Sequence, residues 1–230
     1  MTKLCVVAPK NEPDWTLAGD MAFVQAGWPL PSQRHSYVIM DNQHPISGEQ
    51  NGSQPLALLA YREAIHDATP DEAVIPDVLK DANQTLALVH MFIQINLVRC
   101  RYMIVPHGNS VGEWIWCLNT MIERFGHQFQ TVGVPMYLES FGMGTRYNLL
   151  GLIPSKYDVH FLGCWWGGIE FHRNDRIRSW DTSLPISAAQ EKSYLEAMPS
   201  TYKPHLDHTK HVDPIIALEN IKYIKSLLAG

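Results

Sequence analysis

Short apolar runs alternate with longer amphipathic stretches along the whole chain, and this alternation limits the fold more than any other feature. The short runs cover residues 4–8, 37–40, 73–75, 102–105, 131–134, 159–162 and 176–179. Most are rich in Val, Ile and aromatic residues and too short for helices, which predicts strands. Between them lie helical candidates at 55–67, 81–99, 111–125 and 145–152, and a last one at 214–228. Leu86, Val89, Ile93 and Leu97 recur at three- and four-residue steps and predict one buried stripe; Ile215, Leu218, Ile221, Ile224 and Leu228 predict another. Ser110, three residues before Glu113, has the spacing of a capping box, and Asp213 followed by Pro214 that of a capped helix start.

Strands each followed by a helix or a long return imply a parallel sheet. Little polar alternation within them implies burial on both faces. The 230 residues fit a compact α/β chain of one domain, a (β/α)8 TIM-type barrel, with the eighth strand expected between 197 and 211. The competing architecture is an open doubly wound sheet. Its first strand-to-helix loop would be Pro9-Lys10-Asn11-Glu12-Pro13, which lacks the G-x-G-x-x-G of dinucleotide folds.

Composition excludes several classes. Apolar residues make up 46% and charged residues 18%, so a large core can form. No apolar run approaches ~18 residues, so no membrane-spanning helix is expected, and the first residues read as a strand instead of a signal peptide. Cys5, Cys100, Cys117 and Cys164 are scattered, which makes reduced thiols in a cytoplasm the expectation. With a net charge of −5, any contact with nucleic acid must come from a local patch. His172, Arg173, Arg176 and Arg178 could form one; strand alternation would put Arg176 and Arg178 on one face, where they could also line a structural ion pair.

In a barrel of this type the active site is built past the carboxyl ends of the strands. Asp41 and Asn42 follow one apolar run, Asp77 another, His107 and Gly108 a third, and Asp181 ends the run that starts at Arg176. Each aspartate can also cap a helix or close an Asx-turn. Their joint occurrence at strand ends suits glycosidic exchange, in which one carboxylate attacks an anomeric carbon and a second trades a proton with the departing and arriving bases. Trp165 and Trp166 could stack on a base or pack at the rim, and Gly142-Met143-Gly144 reads as a flexible rim. His205, His208 and His211 recur every third residue, a spacing that spreads them around a helix instead of onto one ion.

Val159-His160-Phe161-Leu162-Gly163-Cys164-Trp165-Trp166-Gly167, followed by Ile177-Arg178-Ser179-Trp180-Asp181-Thr182-Ser183-Leu184-Pro185, resembles the tRNA-guanine transglycosylases. Those enzymes carry L-M-G-x-G and then G-x-D-x-F-D-C-x-x-P, whose second aspartate is the nucleophile; Asp181 falls on it. Upstream, Val38-Ile39-Met40-Asp41-Asn42 resembles I-L-x-D-S, whose aspartate is the acid/base, and Val74-Ile75-Pro76-Asp77 resembles V-x-x-D-E, whose aspartate binds the base. Ile104-Val105-Pro106-His107-Gly108 is similar to I-V-Q-G-G, and Thr131-Val132-Gly133-Val134 to I-G-G-L. The resemblance implies a (β/α)8 barrel that exchanges guanine for a 7-deazaguanine such as preQ1, preQ0 or queuine. Asp181 and Asp41 would be catalytic, and Asp77, Asn42, His107, Gly108, Gly133, Gly163 and Trp165 would bind substrate.

The chain departs from the family in lacking the C-x-C-x-x-C zinc site, so neither metal nor other cofactor is expected. His107 or Pro106 stands where the family has glutamine, and Asn42 where it has serine. The short chain fits DNA or a nucleoside better than tRNA; relatives that act on DNA include phage enzymes, which would place it in a host cytoplasm, and a homo-oligomer is compatible. Two other classes remain open: a nucleoside glycosidase or metal-dependent hydrolase using His160, His205 and His208, and a barrel that binds a base or nucleic acid without catalysis.

Overall fold

The computed structural model describes residues 2–42, 54–95, 98–163, 174–199 and 204–229. Eight strands run in sequence order in a closed, all-parallel barrel. They are β1 (Lys3–Val7), β2 (Met21–Gln25), β3 (Val38–Asp41), β4 (Glu72–Val74), β5 (Arg101–Ile104), β6 (Thr131–Pro135), β7 (Asp158–Leu162) and β8 (Ser179–Thr182). The helices are α1 (Gln54–Ala68), α2 (Ala82–Gln94), α3 (Val111–Phe125), α4 (Thr145–Leu149), α5 (Leu184–Gln190) and α6 (Pro214–Ala229). Among the described residues no helix is long and apolar enough to cross a membrane.

The chain divides into two compact units. Met1–Val24, Trp28–Val38 and Val159–Gly230 form the first, and Gln25–Gly27 with Ile39–Asp158 the second.

In the first unit β1 lies between β2, with Cys5 opposite Met21, and β8, with Cys5 opposite Asp181. β8 in turn pairs with β7, His160 opposite Ser179. The connection from β1 to β2 is a 3-10 helix, Pro13–Ala18, and its return is tight. Asp20 N–H donates to the Leu4 carbonyl at 2.6 Å, and Leu4 N–H donates back to Asp20 Oδ2 at 3.0 Å. A Cβ on Gly19 would sit 2.9 Å from the Leu4 and Met21 carbonyl oxygens, so the turn needs glycine. Lys225 of α6 reaches Asp20 Oδ1 at 2.9 Å.

In the second unit β3, β4, β5 and β6 pair in that order, Ile39 opposite Glu72, Glu72 opposite Arg101 and Met103 opposite Thr131. α1 turns Leu58, Tyr61 and Ile65 inward, the three- and four-residue steps of one helix face. The Tyr61 hydroxyl lies 3.2 Å from the Met40 carbonyl and 2.8 Å from that of Val74, so α1 bridges β3 and β4. Burial pushes this hydroxyl well above its ordinary pKa.

Several expectations need correction. The eighth strand is β2, and the described part of 197–211 contains no strand. The strand expected at 176–179 begins at Ser179; Arg176 lies in a turn, its N–H on Asn174 Oδ1 at 2.9 Å, so alternation does not pair Arg176 with Arg178. α2 ends at Gln94 and buries Ala82, Thr85, Leu88, Val89 and Phe92, a stripe rotated from the expected one; Leu97 lies outside the described residues. α6 is rotated likewise: Ile221, Ile224 and Leu228 are buried, but Ile216 and Asn220 replace the exposed Ile215 and Leu218. Both caps form. Ser110 Oγ accepts from Glu113 N–H at 3.1 Å, and Asp213 Oδ1 accepts from Ile215 and Ile216 N–H at 3.1 and 3.2 Å.

Tyr61→Phe removes the bridging hydroxyl and is expected to lower unfolding free energy by about 1 kcal/mol, read by urea denaturation. At Asp20, burial raises the carboxyl, and the Leu4 N–H and Lys225 ammonium outweigh it, holding it below its ordinary value. Asp20→Asn is therefore expected to cost about 1 kcal/mol at neutral pH. A carboxyl with a lowered folded-state pKa stabilises above its unfolded value, so the gap between wild type and variant closes as pH falls below ~3.9. Denaturation midpoints of both proteins from pH 7 down to 3 check this.

Candidate active site

Two buried carboxylate clusters stand at the carboxyl ends of strands, one in each unit. In the second unit, Asn42 follows β3, Asp77 follows β4 after Ile75-Pro76, and His107 follows β5 after Val105-Pro106. All three are at least nine-tenths buried. His107 Nε2 lies 3.1 Å from Asp77 Oδ1, and Asn42 Nδ2 donates to Asp77 Oδ2 and to the Ile75 carbonyl, both at 3.2 Å. Lys80 N–H donates to His107 Nδ1 at 3.2 Å. An amide can only donate, so Nδ1 carries no proton, and a neutral His107 bears its proton on Nε2 and gives it to Asp77. Asp77 thus receives an internal donor on each oxygen.

The loop after β4 is shaped for this contact. Lys80, whose amide makes the bond to His107, adopts φ 61°, a left-handed conformation uncommon for a non-glycine residue. Tyr137 stacks on the His107 ring, centroids 5.5 Å apart and planes 11° from parallel, with Lys80 Nζ 5.6 Å from the tyrosine centroid. Gly108 N–H donates to the Tyr137 hydroxyl at 3.1 Å. A Cβ on Gly108 would lie 2.6 Å from Glu113 Cβ and from Trp114 N, so only glycine lets the strand end pass the start of α3. Burial pushes the Cys117 thiol beneath this loop up to about 11, against a hydrogen bond from the His107 backbone, which makes it a poor nucleophile near neutrality.

In the first unit the cluster lies on one face of β7 and β8. Ser179 and Asp181 are two residues apart and share that face, while Trp180 turns the other way and packs on Phe161, centroids 5.3 Å apart. His160, the register partner of Ser179, is fully buried. Its Nε2 lies 3.1 Å from Asp181 Oδ1, and its Nδ1 lies 2.8 Å from Ser179 Oγ. Gly163 N–H donates to the same Asp181 oxygen at 3.0 Å. Gly163 has φ 68°, which a residue with a side chain adopts only under strain. Asp181 Oδ2 has no hydrogen-bond partner among the described residues.

The other expected residues fall as follows. Asp41, the last residue of β3, accepts from Asn42 N–H through Oδ1 at 2.9 Å, so Asn42 links Asp41 and Asp77. Gly133 is buried in the middle of β6. Trp165, Trp166, His172 and Arg173 lie outside the described residues. Arg178 packs its guanidinium 5.5 Å from the Tyr37 ring centroid and donates from Nε to Ser179 Oγ at 3.3 Å. His208 Nδ1 accepts from Lys10 N–H at 3.3 Å, and His211 Nδ1 lies 2.8 Å from Glu12 Oε1. These histidines tie their segment to the loop after β1; among the described residues no three His, Cys, Asp or Glu side chains gather as a metal site. The turn at Gly142–Gly144 is held by Glu139, whose Oε2 accepts from Gly144 N–H at 2.6 Å.

Sequence reasoning assigned no role here to Tyr137, Lys80 or Ser179, and considered His160 only as a metal ligand. The available signal was alternation: Ser179 precedes Asp181 by two residues, and His160 is the polar member of an apolar strand. No protein-family model matches the chain, and no curated protein matches it.

Gly108→Ala is expected to displace the His107 loop and lower stability by about 1–3 kcal/mol in thermal or chemical denaturation. Gly112→Ala, four residues on, has only Ser110 Oγ near its added Cβ, at 3.9 Å, and is the control. It is expected to be neutral or to stabilise α3 by up to ~1 kcal/mol.

Proposed function

We propose that this chain is a pentosyltransferase of the tRNA-guanine transglycosylase type, exchanging guanine in a nucleic acid, DNA in preference to tRNA, or in a nucleoside, for a 7-deazaguanine. The observation that carries the reading is the unequal treatment of two buried carboxylates. Asp181 has one oxygen fixed by two donors and the other without a partner among the described residues, as a nucleophile requires. Asp77 has a donor on each oxygen and is held in place on both sides. Each of its oxygens keeps a second lone pair, and together they suit the adjacent N–H donors on the edge of a guanine.

In this reading Asp181 Oδ2 attacks the anomeric carbon as the bond to guanine breaks, forming a glycosyl ester. The departing base takes its electron pair and a proton from the Asp41 carboxyl. An incoming 7-deazaguanine then gives its ring N–H proton to Asp41 as its nitrogen attacks the same carbon, and Asp181 leaves as a carboxylate. The family resemblance assigns base binding to Asp77 and substrate contact to Asn42, His107, Gly108, Gly133, Gly163 and Trp165. Such a reaction balances without a cofactor.

The test is incorporation of labelled guanine or preQ0 into duplex DNA, tRNA and guanosine. Wild type is expected to exchange on DNA, and Asp181→Asn to lose about a thousandfold or more while keeping its unfolding midpoint. Base release without incorporation would make the chain a glycosidase, and a fully active Asp181→Asn would remove the nucleophile assignment.

A further inference from the structure

Resting on the reading of Asp181 as the attacking group, we propose that His160 and Ser179 are a positioning pair: a proton chain through them anchors Asp181 by Oδ1 and reserves Oδ2 for attack. A histidine fully removed from water must satisfy both ring nitrogens or lose the hydration it gave up. His160 does so on Ser179 Oγ at 2.8 Å and Asp181 Oδ1 at 3.1 Å. Phe23 of β2 stacks on the ring, planes 3° from parallel and centroids 5.7 Å apart, and sets its plane.

The direction of the chain follows from its last acceptor. As a carboxylate, Asp181 can only accept, so the nitrogen facing its Oδ1, His160 Nε2, carries the proton. A neutral imidazole protonated at Nε2 accepts at Nδ1, so the Ser179 hydroxyl donates there. Ser179 Oγ accepts in turn from Arg178 Nε–H at 3.3 Å. Every donor therefore points toward the carboxylate. Gly163 N–H adds a second bond to the same oxygen, so two donors from different elements oppose rotation of the carboxylate.

His160 is excluded from a direct chemical role by its complete burial; it acts through Asp181. The strand geometry produces the arrangement unaided. Parallel pairing sets His160 beside Ser179, and the two-residue period places Asp181 on the same face.

Two measurements separate this inference from the functional reading beneath it. The first needs no substrate: ¹⁵N-histidine NMR of wild type is expected to show His160 protonated at Nε2 and bare at Nδ1, with Ser179→Ala admitting the other tautomer. A wild-type His160 protonated at Nδ1 alone overturns the proposal, whatever the activity. The second is steady-state exchange of labelled guanine into duplex DNA. Ser179→Ala is expected to lower kcat about tenfold with KM for guanine unchanged, and His160→Met about a hundredfold. His160→Gln, which retains an N–H donor, is expected to recover most of that loss. Exchange by wild type with kcat unaltered in Ser179→Ala overturns the positioning role alone. No exchange by wild type on any nucleic acid or nucleoside overturns the functional reading and this inference with it.

Discussion

A parallel strand inside a closed barrel has no edge and no wet face, so each of its side chains must be satisfied by what the neighbouring strands present. That constraint governs β8 of this chain. Its four residues, Ser179-Trp180-Asp181-Thr182, are all buried. Trp180 goes to one side, against Phe161, and Ser179 and Asp181 go to the other, against His160. One short strand thus supplies both a core aromatic and a carboxylate. A slip of one residue would exchange the two faces, leaving an acid among apolar rings and an indole against His160. The register with β1 and β7 therefore decides which side chains meet His160 as well as how the strand packs.

The barrel was legible because seven strands announce themselves as apolar runs separated by returns of helical length. β2 was missed although Met21-Ala22-Phe23-Val24 is as apolar as the others. Its predecessor is a 3-10 helix instead of an α-helix, so the rhythm of strand and helix breaks there. The misplaced start of β8 has another cause. Arg176-Ile177-Arg178 alternates like a strand, but Arg176 sits in a turn and Arg178 precedes the strand, its guanidinium against Tyr37 and Ser179. The rotated stripes of α2 and α6 reflect packing: Thr85 and Asn220 are polar residues that face inward because each has a buried job. Thr85 Oγ1 bonds both the N–H and the carbonyl of Val78, and Asn220 bonds the Leu195 N–H and the carbonyls of Pro185 and Ser193.

At the candidate site, the residues visible in the sequence were those just beyond an apolar run. Asp77, Asn42 and His107 are of that kind, and the structure brings them into one hydrogen-bonded group. His160 is of another kind. It lies within its run, and polarity at that point signals a functional face only once the pairing with Ser179 is known. Tyr137 and Lys80 come from segments whose conformation no periodicity describes. Lys80 contributes through its backbone, so its side-chain identity holds no clue to the bond its amide makes with His107.

The two clusters use the same components, a carboxylate and a histidine whose proton faces it, and arrive at opposite results. At Asp77 the second donor, from Asn42, goes to the second oxygen, so the group is clamped from both ends. At Asp181 the second donor, from Gly163, goes to the oxygen that His160 already holds. The difference lies in where that donor originates. The Asn42 side chain, just past β3, reaches the Asp77 oxygen that His107 leaves open, whereas the Gly163 amide, just past β7, reaches the Asp181 oxygen that His160 already holds. Gly163 then takes a left-handed φ of 68°, a conformation that favours glycine. The different hydrogen bonding of two chemically identical groups thus comes down to the placement of one N–H, with each arrangement complete inside its own unit of the chain.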